Sequence, residues 1–312
     1  TDPVGVADAT LDRTSRRKRR GMAGGTQKWL VGCGIGCGFL ILAAGGIGTC
    51  GYLGVQKIKD RAERLDAGFD ALYEQYGRPA EYAPPADGAV PAGRMEAFLA
   101  VRAAMAPARD ELAAVLTELD ADTKGVGGVF KKIGAGVSVL PSMFDFIDER
   151  NLALAEAQMG VGEYLYIYSL AYYSWLGKDP ADGPSFTVSD HEEDSDGDGV
   201  RFRWTGDGRG SSGDPEEVRA RRGREIRRYL NEIQGRMLAN QLDAARGRGL
   251  DEDWLARLEA ERAALDVSAD RLMWEDGLPE AVAAAFAPFR DRLEAAYSPV
   301  MNVVEVGLVE HE

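Results

Sequence analysis

Between Lys28 and Lys57 no residue carries a charge, and the stretch WLVGCGIGCGFLILAAGGIGTCGYLGV fills nearly all of the interval. At about 1.5 Å rise per residue, a helix of this length spans a hydrocarbon core of about 30 Å with some tilt. Trp29 and Tyr52 stand near its ends, where amphipathic rings favour the headgroup level, and a cation brackets each side. The stretch is therefore read as a single transmembrane helix over 29–56, in contact with the lipid bilayer. A buried core helix of this length without a charge is the weaker reading.

Cleavage is a second alternative, because a basic region followed by an apolar run also describes a leader. Leu30-Val31-Gly32-Cys33 has the form of a lipid-attachment signal but precedes the apolar run, and Ile47-Gly48-Thr49-Cys50 places Thr49 where a smaller residue is usual. Neither displaces the membrane reading. The arginine pair Arg16-Arg17 lacks the apolar residues that follow in a twin-arginine signal.

Orientation follows from the cations. Seven lysines and arginines precede the helix and four follow it closely, so the N-terminus is expected in the cytoplasm and the bulk of the chain outside it. Were Met22 the first residue, the count would become one against four and favour the opposite orientation. Gly32 with Gly36, and Gly34 with Gly38, have the small-xxx-small spacing that permits close helix approach, which makes homodimerisation through Gly32 and Gly36 an expectation. The three cysteines, Cys33, Cys37 and Cys50, all fall in the same stretch, so the remainder of the chain contains no cysteine to cross-link.

Charge changes beyond the apolar stretch. Seven of the 37 cationic and three of the 51 acidic residues precede Trp29, which leaves the remainder with a net charge of −18. So acidic a domain argues against general nucleic-acid binding.

The expected organisation has four parts: a basic cytoplasmic tail, 1–28; the membrane helix, 29–56; a juxtamembrane helix and Pro-rich linker, 57–92; and a helical extracytoplasmic domain, 93–312. The fold class is mainly α, a helical bundle with a small β-hairpin insertion at about 180–213. Ile58, Leu65, Phe69, Leu72 and Tyr76 share one face of the juxtamembrane helix. Arg94 to Leu119 forms a helical pair that Pro107 kinks or divides. The Gly-rich segment Lys124 to Leu140 is an irregular core connection, or else an interfacial element around Lys131 and Lys132.

A long helix starts at Pro141 and runs to about Gly177, ending in EYLYIYSLAYYSWLG. Its aromatic residues point all around the circumference, which describes a central helix surrounded by other elements. Alternation in Ser185–Ser189 and Val200–Trp204 around an acidic turn gives the hairpin. Further helices follow over Pro215–Ala245, Asp251–Asp266 and Pro279–Tyr297, and the terminal VVEVGLVEHE is ambiguous.

Candidate chemistry concentrates at the hairpin tip, where Asp190, Glu192, Glu193, Asp194, Asp196 and Asp198 stand close together. Asp194, Asp196 and Asp198, followed by Gly199, match the first half of a calcium loop, in which alternating carboxylates surround a hard cation. Thr205 stands at the twelfth position, where an EF-hand supplies a bidentate Glu, so a solvated acidic tip competes with this reading. His191 has no second histidine at ligand spacing. Arg219, Arg221, Arg222, Arg224, Arg227 and Arg228 form a basic cluster suited to an anionic partner or, more simply, to neighbouring acids.

No cofactor is expected unless calcium binds, and no catalytic constellation emerges, although Glu163 in the aromatic helix is a conceivable general acid. The functional expectation is a membrane-tethered interaction or scaffolding module that meets another envelope protein. A calcium-responsive module and a membrane-bound enzyme with an unrecognised site are the alternatives.

Overall fold

Helix-forming periodicity dominates the chain, and the computed structural model is correspondingly built from helices packed on one aromatic and aliphatic core. It describes residues 50–121, 128–183, 187–188, 202–203 and 215–307. Two units divide at Lys57 and Ile58, and of the first only 50–57 are described. Among the described residues no helix is long and apolar enough to cross a membrane. The apolar stretch up to Thr49, with Gly32 and Gly36, lies outside them.

Helix α1, Cys50–Tyr76, buries Leu65, Phe69 and Leu72, as the helical spacing predicts. It stops at Gly77, whose φ of 79 degrees is the left-handed conformation that favours glycine. A 3-10 turn, Pro79–Glu81, leads into the Pro-rich segment, which is strapped down along its length. On the strap's partner side, Asn240 Nδ2 donates to the carbonyls of Ala80 and Tyr82, Gln241 Nε2 to Pro85 O, and Trp254 Nε1 to Ala86 O at 2.6 Å. Side chains thus satisfy backbone acceptors that irregular chain leaves open.

Helices α2, Ala92–Ala104, and α3, Ala106–Ala121, meet at Met105. Pro107 therefore divides the pair, standing in the first turn of α3, where no intrahelical bond needs its missing N–H. Helix α4, Gly128–Glu156, packs against α3 and corrects two expectations. The segment from Gly128 is helical rather than irregular, and Pro141 lies inside the helix rather than at its start. An internal proline costs about 3 kcal/mol, which the burial of Met143, Phe144, Phe146 and Ile147 on the turns that follow can offset.

The single aromatic helix expected to Gly177 is also interrupted. Gln158 adopts a φ of 49 degrees, and Met159 N–H donates to Leu154 O at 2.9 Å, ending α4 before α5, Val161–Tyr168, begins. Helix α5 continues as a π-helical turn, Ser169–Trp175. Tyr164 and Tyr168 of α5 are buried, and so are the adjacent Tyr172 and Tyr173 of the wider turn.

Thr187–Val188 pairs antiparallel with Phe202–Arg203 within the span expected for a hairpin, in the register Thr187 to Arg203 and Val188 to Phe202. Helix α6, Pro215–Arg248, buries Ile226, Leu230, Ile233, Met237 and Leu242. Against it packs α7, Glu252–Val267, whose first turn is capped by the Asp251 carboxylate accepting the Trp254 N–H at 2.8 Å. The last expected helix is split into α8, Glu280–Phe286, and α9, Arg290–Ala296, by a 3-10 turn that contains Pro288. Of the ambiguous terminus, 303–307 belong to α10, Asn302–Gly307, and 308–312 lie outside the described residues.

Close packing gives two glycines opposite roles. A Cβ on Gly162 would stand 2.7 Å from both Pro79 O and Tyr82 Cβ, whereas one on Gly235 would meet nothing within 4 Å. Gly162→Ala is expected to lower unfolding stability by about 1–3 kcal/mol through overpacking. Gly235→Ala should raise it by about 0.5–1 kcal/mol through helix propensity, and urea unfolding of the two variants checks both signs.

Candidate functional site

Along α2 and its C-cap, Met95, Phe98, Leu99 and Met105 define a buried face, and Arg102 stands on that face with almost no exposed surface. A guanidinium keeps its proton, so an arginine in this position requires anions and acceptors around it. They come from the far end of the chain. Arg102 Nη1 forms an ion pair with Glu305 of α10 and donates to the Tyr164 hydroxyl at 2.9 Å, and the Tyr164 hydroxyl donates to Glu305 Oε2 at 2.7 Å. Nη2 donates to Ala296 O at the last residue of α9, a carbonyl that Arg109 Nη1 also reaches at 3.1 Å.

The rings of Tyr168 and Tyr172 have their centroids 5.4 Å and 5.6 Å from the Arg102 guanidinium carbon, within cation–π range. Burial alone opposes the charge on Arg102, but Glu305 holds its pKa above the ordinary arginine value. Around this centre the aromatic rings pack edge to face or tilted, with Tyr168 and Tyr172 at 4.7 Å and Tyr172 and Tyr297 at 5.0 Å. Tyr168 donates to Asn302 Oδ1 at 2.9 Å, and Asn302 Nδ2 donates to Tyr297 Oη at 2.8 Å and to Asp179 O at 3.1 Å. The tyrosine-rich helix is therefore packed core rather than a ring-lined groove.

Other candidate groups are engaged in the same manner. Glu163 accepts from Arg94 Nε and Nη2, each at 2.6 Å, in a two-point pair that also holds the Arg94 pKa up. A carboxylate so held is a fastening between α2 and α5. Glu261, nearly buried on α7, accepts from Arg271 Nη2 at 3.1 Å and from the Trp274 N–H at 2.7 Å.

The arginine cluster of α6 is spent largely on its own chain. Arg219 pairs with Asp179 and Asp182 at 2.8 Å and 2.7 Å, Arg227 pairs with Glu275, and the buried Arg222 donates to the carbonyls of Ala181 and Gly183. Among the described residues no group of three or more His, Cys, Asp or Glu is placed to hold a metal ion. His191 and the calcium candidates Asp194, Asp196 and Asp198 lie outside those residues.

A concavity of about 430 Å³ lies at the Pro-rich segment, lined by Tyr82, Pro84, Pro85, Asp87, Pro91 and Arg248 among others. Gly88, at a φ of 76 degrees, lets this loop close against Trp254, because a Cβ there would stand 2.9 Å from the indole ring. The lining is about equally polar and apolar and includes one charge of each sign, Asp87 and Arg248.

The sequence did carry a signal for the central cluster. Arg102 interrupts the apolar face of α2, and Glu305 stands between Val304 and Val306, both fully buried. Opposite charges on two inward faces, 203 residues apart in sequence, meet in the core. Comparison of the chain with family models, with curated proteins and with solved structures finds no match.

The tyrosines set the alkaline limit of this core. Desolvation pushes the Tyr164, Tyr166, Tyr168 and Tyr173 hydroxyls well above the ordinary phenol value, and Tyr297 up to about 12. Phenols of the unfolded chain ionise near pH 10 and the buried ones later, so above pH 10 the native state binds more protons than the unfolded state. Their contribution is complete below pH 10 and is lost as pH rises toward the native values. Each buried tyrosine then lowers stability by about 1.4 kcal/mol per pH unit in that window. Urea midpoints measured from about pH 8 to 11.5 should be flat with respect to these groups up to about pH 10 and then fall steeply, together with cooperative tyrosinate absorption.

Proposed function

We propose that this chain is a membrane-tethered interaction module, a helical bundle held at a lipid surface so that it meets another protein of the cell envelope. The observation that carries the reading is the uncharged interval between Lys28 and Lys57, flanked by cations and followed by an acidic remainder. An interval of this length and composition partitions into hydrocarbon, and the cation bias puts the short basic tail in the cytoplasm and the bundle outside it. Support for an interaction role comes from the bundle itself. Its buried carboxylates Glu305 and Glu261, and the part-buried Glu163, are each held by an arginine, and its groove is lined by Tyr82 of the fastened Pro-rich loop and by Arg248 at the end of α6. Tyr and Arg are the residue types on which interface energy concentrates.

Two measurements check this. The full chain should sediment with membranes and resist an alkaline carbonate wash, while a chain lacking residues 1–57 should remain in the supernatant with its helical circular dichroism intact. A full chain that leaves the membranes in that wash removes the tether. For the interaction role, cross-linking in solubilised membranes should give a reproducible adduct that Tyr82→Ala combined with Arg248→Glu weakens at least tenfold, as expected when about 1.4 kcal/mol or more of binding energy is lost. An adduct unaffected by the pair of substitutions places the contact on another face.

A further inference from the structure

A second arginine, Arg150 of α4, is as deeply buried as Arg102 but is treated in the opposite way. None of its three guanidinium nitrogens has a hydrogen-bond partner among the described residues. Its neighbour in sequence, Asn151, is 7% exposed, and neither its amide nitrogen nor its oxygen has a partner among them. The guanidinium carbon lies 5.4 Å from the ring of Phe69 on α1. Asn151 Nδ2 lies 3.4 Å from the place where a Cβ on Gly68 would stand, so both groups lie at the α1–α4 contact, where α1 presents a glycine beside a ring.

The charge there is not balanced by the described residues. Glu305 is the carboxylate whose field reaches Arg150 most strongly, and it is already paired with Arg102. Arg102, Arg150 and Glu305 together therefore leave one positive charge. Arginine does not relieve burial by losing its proton, and ring faces offset only part of the cost. Tyr73 and Tyr229, both half-buried, lie within electrostatic reach of the guanidinium, which puts the position close beneath the surface.

We propose that Arg150 and Asn151 form an enclosed binding site for a small monovalent anion, a halide or a short carboxylate. The chemistry selects this class. Five N–H groups in a planar fork, with the Asn151 amide at the same α1–α4 contact, are donors that match one negative charge. Closure by Phe69 and α1 excludes a bulky ligand. Water alone would occupy the donors and leave the charge uncompensated.

Thermal unfolding of the full chain tests the site at constant ionic strength, with sodium gluconate as the oversized reference and its replacement in turn by chloride, formate and acetate. The wild-type Tm should rise saturably, by about 3 °C or more, with chloride or with a carboxylate, and the arm that responds identifies the source. Arg150→Met, which keeps the volume and removes the charge, should abolish the response. A wild-type Tm equal in all four salts, or an equal rise in Arg150→Met, overturns the proposal. Should that variant not fold, the wild-type titration is read beside crystals grown with bromide and with formate. Anomalous or planar density within hydrogen-bond distance of the Arg150 guanidinium supports the site, and water alone there in both crystals overturns it.

Discussion

A buried charge has to be answered, and the answer to Arg102 organises this molecule. Its partner Glu305 lies at the opposite end of the described chain, so closing the pair brings α2, α5, α9 and α10 to one point. Hydrophobic burial drives the helices together without specifying how they align. Arg102 restricts the alignment, because its donors find acceptors only when Tyr164, Glu305 and the α9 carboxyl-terminal carbonyl are all in place. Breaking such a pair leaves an uncompensated charge in the core, at a cost of about 3–5 kcal/mol. The tyrosine stack around it supplies ring faces for the cation and hydroxyls for the network that continues through Asn302.

The same logic recurs along the chain. Arg94 with Glu163 and Arg271 with Glu261 join separate elements, and the carbonyls of the Pro-rich segment are taken up by Asn240, Gln241 and Trp254. Polar groups of types suited to chemistry are mainly fastenings.

Local signals were legible in the sequence wherever they act through near neighbours. The face of α1 through Leu65, Phe69 and Leu72, the start of α7 near Asp251, and the division at Pro107 follow from spacing and backbone rules. The aromatic helix read as core because rings on every side leave no solvent face. Pro141 misled, since a proline rule describes the cost of the residue and not the packing on the turns that follow it. The break at Gln158 and the π-helical turn depend on tertiary contacts that periodicity does not encode. Arg102 and Glu305 were each visible as a charge among apolar residues, but their sequence separation hides the pairing. The acidic hairpin tip and the glycine pairs of the apolar stretch lie outside the described residues.

The dependence of the fold on that central pair is measured most directly by a double-mutant cycle. Arg102→Met, Glu305→Leu and the combination are compared by urea unfolding at neutral pH. Each single substitution is expected to destabilise by about 3–5 kcal/mol and the double variant to recover much of the loss, giving a coupling energy of about 2 kcal/mol or more. Additive losses, with coupling indistinguishable from zero, would contradict a fold aligned by this pair.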